Sequence, residues 1–109
     1  MGLDITVTHR KRLVCPKCGE VVGGYDIDSV DGGGRAWYDI LEAIGYYVPY
    51  DKRTEENDWY GKDMILTDEQ AKQFHDFANH DDLYGGLAIA RLIAAAKYAG
   101  DDVVINADW

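Results

Sequence analysis

Apolar and polar side chains alternate through Leu3-Asp4-Ile5-Thr6-Val7-Thr8, the period of a half-buried strand. A basic run, His9-Arg10-Lys11-Arg12, follows. Leu13-Val14 then leads into Cys15-Pro16-Lys17-Cys18-Gly19, and Glu20-Val21-Val22 leads out of it. Tyr25-Asp26-Ile27-Asp28 alternates again, so this region predicts a hairpin with the cysteine turn at or near its tip. Gly32-Gly33-Gly34 breaks the pattern. A helix is expected from about Arg35 to Ile44, because Trp37, Leu41 and Ile44 recur on one face and Gly45 can end it with positive φ.

Residues 46–63 lose all periodicity and predict a long loop. Thr67-Asp68-Glu69-Gln70 is a capping box, opening a helix to about Asn79 with Ala71, Phe74, Phe77 and Ala78 inward. A further helix is expected from about Asp82 to Ala99. Its apolar residues cover most of the circumference, which predicts a position in the middle of the core. Val103-Val104-Ile105 reads as a short strand returning to the sheet. The fold class expected is α+β: a small, mostly antiparallel sheet with a cysteine-knuckle hairpin, packed by about three helices in one domain over 1–109.

Composition supports a globular chain, since 47% of its 109 residues are hydrophobic. No apolar run approaches the roughly 20 residues that span a bilayer. No basic segment followed by an apolar stretch opens the sequence, so a cytoplasmic setting is expected, with no membrane partner. There a lone cysteine pair points to metal or redox chemistry rather than to a structural disulfide.

The net charge of −9 is unevenly spread. Residues 1–20 carry Arg10, Lys11, Arg12 and Lys17 against Asp4 and Glu20, a balance of +2, and the remainder stands at −11. Such a body repels nucleic acid and anionic membranes and attracts a protein partner with a basic surface.

Cys15 and Cys18 have the spacing that points two sulfurs at one centre. Zinc takes four ligands, so His9, His75 and His80 are the candidates for the missing pair, with a nearby carboxylate as an alternative. A redox pair is a further option, though it would need the cysteines at a helix N-terminus. Leftover thiols with no metal are another.

His75-Asp76 and His80-Asp81 pair histidine with aspartate, as in metal-dependent phosphohydrolases. Their ordinary reading is a polar helix end. Asp26 and Asp28, on one strand face with Asp31 nearby, could hold a divalent cation. Asp31-Gly32-Gly33-Gly34-Arg35 before a helix could cradle an anion, or simply turn the chain. Arg10, Lys11, Arg12 and Lys17 beside a knuckle could grip phosphates as the nucleic-acid alternative.

The most distinctive surface is the 46–63 loop. There Tyr50, Trp59 and Tyr60 would anchor a partner and Glu55, Glu56 and Asp58 would supply charge, unless the rings only pin the loop to the core. No nucleophilic or triad arrangement is present, so no catalytic residue is assigned.

The segment Val14-Cys15-Pro16-Lys17-Cys18-Gly19 resembles one knuckle of a zinc ribbon, which implies a bound Zn²⁺ if further ligands arrive. The opening Met1-Gly2-Leu3-Asp4 followed by a strand resembles small phage-encoded proteins of unknown function. In size and acidity the chain is similar to phage inhibitors of host defence enzymes, anti-CRISPR proteins among them. That likeness implies a small acidic interaction module that blocks a basic nucleic-acid-binding host protein.

Overall fold

The computed structural model describes residues 3–80 and 82–109. Met1-Gly2 of the phage-like opening and Asp81 of the second His-Asp pair lie outside the described residues. Strand β1 (Asp4–Val14) turns into β2 (Val21–Gly33). A 3₁₀ turn at Arg35–Trp37 runs into helix α1 (Tyr38–Ala43). After the long loop come β3 (Met64–Ile65), α2 (Asp68–Ala78), α3 (Gly86–Tyr98) and β4 (Asp102–Asp108). The sheet is antiparallel with strand order β2-β1-β4-β3. The class is α+β.

The alternation in β1 sends Ile5 and Val7 to the helix-covered face, where β4 adds Val103, Ile105 and Ala107, all buried. Trp37 is fully buried and stacks on Phe74 with ring centroids 5.6 Å apart, joining α1 to α2. The expected capping box forms: the Gln70 amide donates to Thr67 Oγ1 (3.1 Å), and the Thr67 amide donates to Gln70 Oε1 (3.0 Å). Gln70 Nε2 also donates to the Ile44 carbonyl at 3.0 Å, so one side chain starts α2 and closes the end of α1.

Three expectations need correction. Helix α3 is not buried all round. Ile89, Ala90, Leu92, Ile93 and Ala96 face the core, while Leu87, Ala88, Arg91, Ala94, Ala95 and Tyr98 are exposed. A two-layer fold covers only one side of each helix, and alanine costs little when left in water.

The helix also begins at Gly86, not near Asp82. Gly85 has φ +79 and lies against the Asp31 carbonyl, and a side chain at Gly86 would meet the Ala78 carbonyl at 2.6 Å. This close approach fixes the start, and Tyr84 just before it bridges to Gly33.

The strands, lastly, run longer than their alternation suggested. β4 meets β1 only from Asp4 to Arg10, yet β1 and β2 stay paired out to Val14 and Val21. The outer hairpin is therefore a two-stranded ribbon projecting from the sheet. Among the described residues, no helix is long and apolar enough to cross a membrane.

Candidate functional site

The ribbon ends in the cysteine turn. The Cys15 amide donates to the Glu20 carbonyl (2.8 Å), and the Gly19 amide donates to the Cys15 carbonyl (2.9 Å). Gly19 closes the turn with φ +76, where a side chain would be strained. Cys15 and Cys18 are free thiols that approach to 3.3 Å. Backbone N–H groups of Cys18 and Lys17, together with the Cys18 thiol, hydrogen-bond to Cys15 and pull its pKa below the ordinary thiol value. Donors aimed at sulfur favour the thiolate, the form that binds metal. Cys15 is half-buried and Cys18 exposed.

The histidines named as completing ligands are not gathered with this pair. His9 is buried, and its Nε2 lies 2.8 Å from Asp101 Oδ2. His75 Nδ1 contacts its neighbour Asp76 at 3.2 Å. His80 is exposed just beyond the end of α2. Among the described residues, no group of three or more His, Cys, Asp or Glu side chains is placed to hold a metal ion.

The basic run serves the fold. Arg10 Nε donates to Asp26 Oδ1 at 2.8 Å, with Asp63 at 3.6 Å from its other end. Lys11 Nζ is 3.4 Å from Asp101. Arg12 binds Asp102 through both Nε and Nη2, and its amide reaches Asp101 at 3.3 Å. Lys11 and Arg12 thus clamp the root of the ribbon to the corner between α3 and β4, while Arg10 ties β1 to Asp26 of β2 and reaches towards Asp63 before β3. Of the four proposed phosphate contacts, Lys17 at the tip has no acidic partner among the described residues. Sequence reasoning missed this clamp because Asp101 and Asp102 lie about 90 residues away from the run.

Two other constellations resolve into structure. β2 carries a bulge at Ile27: His9 pairs with Asp28 while the next residue, Arg10, pairs with Asp26. Neighbouring β1 side chains point to opposite faces, so Asp26 and Asp28 do too and cannot share a cation. The glycine triplet packs the core closely: a side chain on Gly32 would meet the Tyr84 carbonyl at 2.8 Å and Ile89 at 3.0 Å.

The 46–63 loop divides. Tyr46 is fully buried; its hydroxyl donates to the Lys62 carbonyl (2.6 Å) and accepts from the Ala107 amide (2.8 Å). Burial pushes its phenol pKa up. Trp59 packs partly buried beside Tyr46. Arg53 donates to the Val48 carbonyl at 2.9 Å and lies over the rings of Tyr47 and Trp109. These contacts pin both ends of the loop. Its crest stays in water: Tyr50 is 87% exposed, Tyr60 is 47% exposed, and Glu55 and Glu56 are exposed. Asp58 is half-buried, its Oδ1 accepting from the Tyr60 amide at 3.2 Å.

What sequence reasoning missed altogether is the apolar dressing of the ribbon. Leu13, Val14, Val21 and Val22 are 41–66% exposed beside the cysteine turn. The available signal was four apolar residues flanking a turn in strands longer than any partner strand could cover.

Compared with protein-family models, with curated proteins and with solved structures, the chain matches none.

Proposed function

We propose that the protein is a small acidic interaction module that docks on a basic surface of a partner protein through the crest of the 46–63 loop. One observation carries this reading. Glu55, Glu56 and Asp58 contact no cation among the described residues, whereas the cations of β1 are consumed by Asp26, Asp63, Asp101 and Asp102. Free carboxylates beside the exposed Tyr50 ring make a rigid acidic and aromatic surface held by Tyr46 and Arg53.

A groove built to bind a nucleic-acid backbone has the complementary charge. Inhibition of such a protein, in a phage or other mobile element, is the biological setting this chemistry fits. Trp59 is half-buried against the core, so the anchoring ring in this proposal is Tyr50, with Tyr60, packed edge-on against Trp109, as a second exposed ring.

The test is binding of the full chain to an arginine- and lysine-rich peptide, followed by anisotropy over a salt series. Tyr50→Ala/Glu55→Gln/Glu56→Gln is expected to weaken binding on the order of 10-fold or more, as hot-spot truncations do. Asp39→Asn/Glu42→Gln/Asp76→Asn removes more charge elsewhere and is expected to change it less. Equal losses in the two variants, or an affinity indifferent to salt, would overturn the assignment.

A further inference from the structure

The cysteine turn is a half-site on a projecting arm. A tetrahedral zinc site needs four ligands, and this chain brings two to one point. His9 is six residues up an extended strand, about 20 Å from Cys15 at the usual rise per residue, and is already bonded to Asp101. No third metal-binding side chain gathers at the turn among the described residues.

Three further observations concern the space in front of the tip. It is open, because the ribbon extends past the last β1–β4 pair and residues 16–22 are exposed. The turn is flanked in sequence by Leu13, Val14, Val21 and Val22, an exposed apolar set of the kind that marks contact surfaces. And Lys17, within the turn itself, is exposed and has no acidic partner among the described residues.

We propose that the tip is half of a tetrathiolate zinc site completed by Cys15 and Cys18 of a second copy, so that one zinc ion joins two chains end to end. Two-fold symmetry supplies two cysteines from each copy without any further residue. The four thiols give up their protons to the solvent on binding Zn²⁺, leaving a centre of charge −2 that the two Lys17 ammonium groups offset.

A second copy also solves the charge problem that other arrangements would meet. β4 leaves β1 at Arg10, and five residues of strand at the usual rise carry Cys15 about 17 Å beyond that point. Tip-to-tip contact therefore keeps the acidic bodies several Debye lengths apart, at about 8 Å each in physiological salt. The apolar side chains around the turn would meet their own symmetry mates about the metal. Four small side chains per copy are too little for a stable dimer without it, which makes assembly metal-dependent.

The experiment is zinc titration of chelator-treated full-length protein under a phosphine reductant, read by native mass spectrometry and sedimentation. The expected product is a dimer of twice 12.2 kDa holding one zinc, returned to monomer by chelator. Substituting Co²⁺ should give the intense visible bands of tetrahedral thiolate coordination.

Cys15→Ser and Cys18→Ser should each lose metal and dimer together, with affinity down at least on the order of 100-fold, since even outer-sphere partners cost about that much. Both positions are on the ribbon tip, and circular dichroism checks that the body still folds. Zinc bound one per monomer, no zinc binding, or a dimer that survives chelator or Cys18→Ser would overturn the proposal. None of these outcomes touches the loop, so the acidic docking surface stands or falls separately.

Discussion

Asp101 is held by three different donors at once: His9 Nε2 and Lys11 Nζ from side chains, and the Arg12 amide from the backbone of the ribbon root. Led by the His9 hydrogen bond, these hold its carboxyl below the ordinary aspartate range. Such a group binds a proton less readily when folded than when unfolded. It therefore adds stability above the ordinary aspartate pKa and loses that contribution as pH falls through its lower folded value. Urea unfolding between neutral and acid pH is expected to show stability falling through this window. Asp101→Asn should be less stable than the parent at neutral pH and flatter with pH below about 4. A parallel pair of curves would show that the carboxylate contributes nothing. Tyr46 makes a neutral counterpart. Tyr46→Phe leaves the Ala107 amide without its acceptor and should cost about 1–3 kcal/mol in the same measurement.

Elements were legible in proportion to how local their causes are. The Thr67–Gln70 box sets the start of α2 from four adjacent residues, and Trp37, Leu41 and Ile44 set the inner face of the first helix. The start of α3 depends on how closely Gly85 and Gly86 approach Asp31, Ala78 and His80, which no local pattern encodes. β3 has only Met64 and Ile65, too few for any period to appear. That Cys15 and Cys18 come close together was legible from spacing alone, whereas their isolation from all three histidines is a fact of tertiary structure. The ribbon illustrates the same divide, for its stability comes from the distant Asp101 and Asp102. Thr67→Ala should cost about 1 kcal/mol. By contrast, replacing residues 13–23 with Asn-Gly, a two-residue turn that keeps Arg12 paired with Gly24, should leave the thermal midpoint within a few degrees of the parent, because Leu13, Val14, Val21 and Val22 are largely exposed and belong to no part of the core. A large fall in the midpoint would show that the arm supports the body.

At the scale of the molecule, the two proposed surfaces sit on parts of very different local stability. β1 is the central strand over Ile5–His9, with β2 on one side and β4 on the other, and its inward residues are buried. Opening it means unfolding the sheet. Beyond Arg10 the ribbon has lost β4 and carries exposed apolar side chains, and a two-stranded hairpin is marginal in water. Opening free energy should therefore fall along the same strand, from the global value at Val7 towards a small one at Val14. Hydrogen exchange followed by NMR tests this residue by residue. The amides of β1 over Ile5–His9, and those of β4 that bond to β1, should exchange slowest. The cross-strand amides of 11–25 should exchange orders of magnitude faster, with a step at Arg10–Arg12 where Asp26, Asp101 and Asp102 clamp the root. Asp102→Asn should move that step towards the body, since Arg12 then loses its charged partner. Uniform protection along β1 would mean that the arm folds as part of the core, and the end-to-end zinc contact would then be made by a rigid extension of the sheet and not by a ribbon ordered at its root.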